Sequence, residues 1–268
     1  MDFALSSVDP ASALRDDPHV AISGDAKSSV RRPRTDKPSP ILQRRVMPTD
    51  GLDFFPTPPW ATRAFVEVLA DRGWTDDGQT AWEPACGEGH MAEPLREAFA
   101  RVHASDVHDY GCGYAVGSFL GGDGLDLDVA RAPFAPDWIV TNPPFNLALP
   151  FLRRALGEAR VGVAFLLRLA WVESAERHRE IFSVRPPTLI AQSVDRIPML
   201  DGRYDPNGTT TMAYAWFVWL KDAKTRKTEF DWIAPGAPAR FVRAIDLEPR
   251  FVRSAATHPD LFEAIAAE

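Results

Sequence analysis

Five residues of core-strand character, Asp137-Trp138-Ile139-Val140-Thr141, run directly into Asn142-Pro143-Pro144-Phe145. A proline has no amide hydrogen for a sheet ladder and holds its φ nearly fixed, so two in succession end the strand and stiffen the turn beyond it. The chain must therefore leave its sheet abruptly here, with a polar side chain and an aromatic ring at the rim. Other short apolar runs fit the same sheet. Residues 80–83, 102–105 and 161–169 read as strands, and 61–69, 91–100 and 147–159 read as helices by the spacing of their apolar residues. Strands that alternate with helices predict an α/β fold, a mostly parallel sheet with helices on both faces. Farther on, 188–193 and 212–220 read as an antiparallel pair joined by a polar loop.

With 268 residues and 45% hydrophobic content the chain can bury one sizeable core. We expect one domain over 51–235, preceded by a largely disordered tail (1–50) and followed by a partly helical extension (236–268). The tail carries a basic arm, Lys27, Arg31, Arg32, Arg34, Lys37, Arg44 and Arg45. It reads either as a solvated segment or as one that settles on phosphates. The net charge of −7 therefore does not exclude nucleic acid, because phosphate contacts are local. Two cysteines, Cys86 and Cys112, are too few for a disulfide framework, and no leader-like run opens the chain, so a cytoplasmic protein is expected. No run approaches the roughly 20 apolar residues of a membrane span, and no membrane role is expected.

In an open parallel sheet, ligands sit at the carboxyl ends of the strands. Glu83-Pro84-Ala85-Cys86-Gly87-Glu88-Gly89 comes after the first strand and opens a helix. Its glycines predict close approach of a ligand to backbone amides. Asp106 closes the second strand, where a carboxylate can accept hydrogen bonds from ribose hydroxyls. Residues 87–92 also fit a loose dinucleotide pattern, so nucleoside binding is expected while a nicotinamide cofactor stays open. At the proline stop, the Asn142 side-chain oxygen and the Pro143 carbonyl are both acceptors, and Phe145 offers a flat face. Together they form a receptor for a planar ring bearing an NH₂ group, such as adenine. Drawing both amine hydrogens toward acceptors favours the pyramidal nitrogen that can attack a sulfonium methyl, and no strong base is needed.

In order along the chain, Phe55-Pro56-Thr57-Pro58, residues 83–89, Asp106 and Asn142-Pro143-Pro144-Phe145 resemble S-adenosylmethionine-dependent DNA adenine N6-methyltransferases, particularly the small type of phages and prophages. The likeness runs over roughly 51–235 and includes "DRIPML" and "MAYAWFVW". It implies a Rossmann-like methyltransferase fold, S-adenosylmethionine as cofactor, and DNA, expected to be double-stranded, as substrate. Phe55, Pro56 and Thr57 would border the methionine end of the cofactor, with Glu83, Ala85 and Gly87 around its middle. Asp106 would hold the ribose and Phe119 would pack on the adenine. Asn142, Pro143, Pro144 and Phe145 would hold the target base. Members often carry Asp before that aromatic; Ser118 stands here, which leaves the contact to the cofactor amine with Ser118 or Asp123.

Other residues invite readings of their own. Cys86 lies in the cofactor loop rather than beside the base and reads as a small buried residue. His90, His103 and His108 lack metal-ligand spacing, so no metal is expected. Trp171 is either a second wall of the base pocket or ordinary packing. Arg153, Arg154, Arg168, Arg177 and Arg179 read either as phosphate contacts or, being interleaved with acids, as a charged helix face, and the second reading is favoured. The polar loop 200–210 is a hairpin tip or a recognition loop in which Arg203, Tyr204 and Asn207 reach DNA. Asn-Pro-Pro segments also serve methyltransferases for RNA guanine N2 and protein glutamine, and a non-catalytic DNA-binding protein of the same fold is the alternative from another class.

Overall fold

The computed structural model describes residues 53–121, 127–224 and 226–252, all within the unit Asp50–Glu268. The basic arm and Asp123 lie outside them. Along the chain come α1 (Pro59–Asp71), β1 (Thr80–Glu83), α2 (Ala92–Arg96), β2 (Arg101–Asp106), β3 (Ala115–Val116), β4 (Trp138–Thr141), α3 (Ala148–Glu158) and β5 (Gly162–Arg168). The short turn α4 (Ala175–Arg177) is followed by β6 (Leu189–Ser193), β7 (Tyr214–Leu220), β8 (Glu229–Ile233) and α5 (Ala237–Phe241).

One eight-stranded sheet has the order β3-β2-β1-β4-β5-β7-β6-β8. Every pairing is parallel except those of β7, which runs antiparallel to β5 and to β6. The fold is therefore the expected Rossmann-like one, a mostly parallel sheet with an antiparallel pair near the C-terminal edge. The order reverses between β1 and β4, which is where such sheets open a crevice at their carboxyl ends.

Alternation along the strands builds two cores. Ala164 and Leu166 of β5, with Tyr214, Trp216 and Val218 of β7, face α1; Val163, Phe165 and Leu167, with Ala215, Phe217 and Trp219, face α3. Because successive side chains point to opposite faces, one strand serves both layers. On the α1 side Phe65 stacks on Trp216, with centroids 4.1 Å apart and planes 9° from parallel.

Arg63 of α1 is buried, and each of its five guanidinium N–H groups has an acceptor. Nε and Nη2 donate to Glu97, Nη1 and Nη2 to Asp246, and Nη1 also to the Phe241 carbonyl, over 2.6–2.9 Å. This knot ties the segment after α5 to the front of the domain. Farther along, the Phe251 carbonyl lies 3.0 Å from His90 Nε2. No described helix is long and apolar enough to cross a membrane.

Candidate functional site

The carboxyl ends of β1, β2 and β4 meet at one cleft, roofed by the segment that precedes α1. Phe55, Pro56, Thr57, Glu83, Ala85, Gly87, Asp106, Ser118, Phe119, Asn142 and Pro144 line it. The expected residues are thus brought to one place, except that Pro143 and Phe145 lie off its lining.

On the side of the glycine loop the sequence reading needs amendment. Gly87 and Gly89 have φ of 51° and 90°, the left-handed region that favours glycine. The space their missing side chains leave is filled by the chain itself. A Cβ on Gly87 would come within 2.5 Å of the Phe54 ring, and one on Gly89 would overlap the Tyr114 hydroxyl. The Gly87 amide donates to Asp106 Oδ2 at 2.7 Å, and the His108 amide to Asp106 Oδ1 at 3.0 Å. Asp106 is thereby held rigid, and since each carboxylate oxygen can accept twice, it keeps capacity for a ligand hydroxyl. Burial raises its carboxyl above the usual range, against the pull of the Gly87, His108 and Val107 amides.

Glu83, fully buried at the end of β1, is pushed well up by burial first and by the Asp106 charge second. A carboxyl raised in the folded chain keeps its proton at pH values where the unfolded chain, with a pKa of about 4.3, has released it. Stability therefore falls as pH rises through that interval. Glutamine does not titrate, so Glu83→Gln is expected to raise the melting temperature by an amount that grows with pH from about 4 upward. Thermal denaturation of both proteins across that range checks this; a gap that does not change with pH would exclude the carboxyl as its source. Cys86 is buried, its thiol pushed up chiefly by burial and facing the Gly87 carbonyl at 3.6 Å, which suits packing rather than attack. Ser118 Oγ accepts the Gly121 amide at 3.1 Å, and Phe119 packs edge-on to Trp82 at 5.0 Å.

At the proline stop, Asn142 Nδ2 donates to the Phe55 carbonyl at 2.9 Å. That bond fixes the amide's orientation and leaves Oδ1 buried and without a partner among the described residues, on a residue that lines the cleft. The Phe145 amide donates to Asp53 Oδ2 at 2.8 Å, and the Phe145 ring lies 5.1 Å from that of Phe55. The Arg168 guanidinium stands 4.4 Å from the Phe145 centroid, so one face of the expected stacking surface is covered by a cation.

Several residues of the cleft escape the sequence reading, among them Asp53, Phe54 and Tyr110. Asp53 stands two positions before the Phe55-Pro56-Thr57 block, which was the available signal. Phe54 and Tyr110, with centroids 4.7 Å apart, wall the same cleft. Nothing in the sequence pairs those two.

Trp171 sits in the α3-side core against Phe182, Phe217 and Trp219, which is the packing reading. Arg153 and Arg179 pair with Glu180, Arg154 pairs with Glu158, and Arg177 binds the Trp171 and Glu173 carbonyls, as a charged face does. Arg168 departs from that face and stands over the Phe145 ring instead. In the loop 200–210, Tyr204 does not reach outward: it is buried, 5.5 Å from the His90 ring. The Gly202 amide donates to the Phe54 carbonyl at 2.8 Å, which ties this loop to the cleft roof.

No protein-family model and no curated protein matches the sequence. Among solved structures, the chain is similar to the methyltransferase subunit of a type I restriction-modification system from Streptococcus thermophilus, at 11% identity and a TM-score of 0.48, over 79% of this chain and 53% of that one. It thus spans about half the length of that protein. It is also similar to a putative class I S-adenosylmethionine-dependent methyltransferase from Listeria monocytogenes (15% identity, TM-score 0.45, 73% and 71% of the two chains). A putative RNA methyltransferase from Pyrococcus horikoshii gives 16% identity and a TM-score of 0.43, over 60% and 83%. At scores this low the likenesses carry no weight for function, which rests on the residues of the cleft.

Proposed function

We propose that the protein transfers a methyl group from S-adenosylmethionine to the exocyclic N6 amine of adenine in DNA, with the extruded base held at residues 142–145. The observation that carries this reading is the oriented Asn142: Oδ1 is a buried, unpartnered acceptor on the same cleft that Asp106 lines. The cofactor's fit is supported by the atoms left unmatched there. Asn142 Oδ1, Asp53 Oδ1 and Glu83 Oε2 are buried polar atoms without a hydrogen-bond partner among the described residues, and such atoms call for a ligand that brings hydrogen-bonding groups.

When bound, S-adenosylmethionine supplies a methyl group on a cationic sulfur, an electrophile that needs no further activation. Asp106 would hold the ribose hydroxyls, Glu83 would lie with Ala85 and Gly87 around the cofactor's middle, and Phe119 would pack on one face of its ring. Asn142 Oδ1 would accept a hydrogen of the target amine and so direct its lone pair toward the methyl group. The Pro143 carbonyl accepts no hydrogen bond from a described residue. A turn stiffened by two prolines holds these acceptors in place without reorganisation. The α/β frame and the basic arm suit a DNA substrate, and duplex DNA would have to release its base from the stack.

Purified protein incubated with methyl-labelled cofactor and unmethylated duplex DNA, followed by digestion and mass spectrometry of the nucleosides, tests the reading. N6-methyladenine is the expected product. Label in RNA guanine or in protein glutamine would replace the acceptor, and cofactor binding with no transfer would favour a non-catalytic DNA-binding protein.

A further inference from the structure

Strand β8 closes the sheet at one edge, and among the described residues nothing pairs with its outer side. The Glu229 amide donates to the Thr188 carbonyl, and the Ile233 carbonyl accepts the Val194 amide, so the odd-numbered residues bond inward toward β6. In a parallel ladder the alternate residues then turn their N–H and C=O groups outward, and here those are Phe230 and Trp232. Natural edges are usually blunted by proline, lysine or a bulge. This strand has none of the three, and a single device stands in for them: Asp231 Oδ1 accepts the Trp232 amide at 2.8 Å and takes that donor out of use. Nothing among the described residues does the same for Phe230. Arg226, Lys227, Thr228, Glu229 and Phe230 are exposed in succession. Phe230 and Trp232, 45% and 62% exposed, set their rings edge-on at 5.1 Å.

The charges along this open half are complementary to themselves. Lys224, Arg226 and Lys227 precede the strand, and Glu229 and Asp231 lie in it, so two antiparallel copies set the basic half of one against the acidic half of the other. We propose that the edge at 226–230 is a homodimer contact, in which β8 pairs antiparallel with β8 of a second copy about a two-fold axis at Thr228. Odd-numbered side chains face α1, since Glu229 and Asp231 bond to Arg72 and Ile233 enters the α1-side core. On that face Lys227 meets Glu229 of the second copy, and symmetry repeats the pair. On the opposite face Arg226 meets the ring of the second copy's Phe230. The bond between Asp231 and the Trp232 amide survives. Moving the axis to 229, 230 or 231 would oppose Glu229 to itself, Glu229 to Asp231, or Asp231 to itself, and like charges directly opposite are unfavourable. The proposal does not depend on the methyl-transfer reading.

Sedimentation equilibrium of the full-length protein across a wide concentration range is the test. A dimer whose share grows with concentration is expected, because one strand pair with exposed aromatics is a small contact. Lys227→Glu and Glu229→Lys, each alone, set like charges opposite one another at both symmetric positions and are expected to weaken association by about tenfold or more. Mixed one to one, the two variants restore opposite charges at both positions, and the dimer is expected to return. Both change exposed side chains, and circular dichroism checks that they fold. Phe230→Pro withdraws the outward amide while sparing the bonds to β6, and is expected to be monomeric. A wild-type protein that stays monomeric overturns the proposal, and so does a dimer that both charge variants leave unchanged or a mixture no more associated than its parts. A monomer that loses duplex DNA on Trp232→Ser also overturns it, and assigns the aromatic pair to nucleic acid.

Discussion

Asn142→Ala is expected to lower kcat for DNA methylation by about a hundredfold to a thousandfold, the range seen when one preorganised polar group is removed from a reacting centre. Cofactor affinity should change little, because Asn142 Nδ2 meets the Phe55 carbonyl and, in the proposed reaction, Oδ1 meets the target amine rather than the cofactor. The loss should appear in kcat more than in KM, since the hydrogen bond matters most as the nitrogen becomes pyramidal. Single-turnover kinetics with labelled cofactor separates the chemical step from binding and release. A variant that keeps more than a tenth of the wild-type rate would remove Asn142 from the reaction.

Arg63→Met is expected to destabilise the protein by about 3–5 kcal/mol, the usual result of withdrawing one partner from a buried ion pair. The reason is Asp246, 1% exposed, which would lose both of its bonds to the guanidinium and keep only the Arg243 amide at 2.8 Å. Glu97 retains Arg243 and should contribute less to the loss. Guanidinium held by two carboxylates stays protonated throughout the working range, so the effect should not depend on pH near neutrality. Urea unfolding followed by tryptophan fluorescence gives the difference from the shift in midpoint. A change below about 1 kcal/mol would mean that the knot is an ordinary surface contact.

Much of this architecture is legible in the sequence where local chemistry dictates local shape. The strand 80–83, the double-proline stop and the helix before Gly73 arise from propensity and period. β8 escaped because its alternation does not separate core from solvent. Phe230 and Trp232 are exposed, Ile233 alone is buried, and pairing with β6 holds the strand. The two-residue β3 is too short for any period to register. In the site, Asn142 and Asp106 stand out because a proline pair and a strand end mark them. Asp53 carries no such mark, since its partner Phe145 lies 92 residues away. Tyr204 misled for another reason: surrounded by polar turn residues, it nevertheless inserts beside His90, and only the long-range fold supplies that pocket.

The short stretch from Asp53 to Phe55 is gripped from three directions, by the Phe145 amide, by Asn142, and by the Gly202 amide of a distant hairpin. Substitutions in this hairpin inherit a constraint from that third grip. Its base near position 202 is committed to holding the roof of the cleft, and novelty is free to accumulate only at the outer tip, where Pro206, Asn207 and Thr209 stand in solvent.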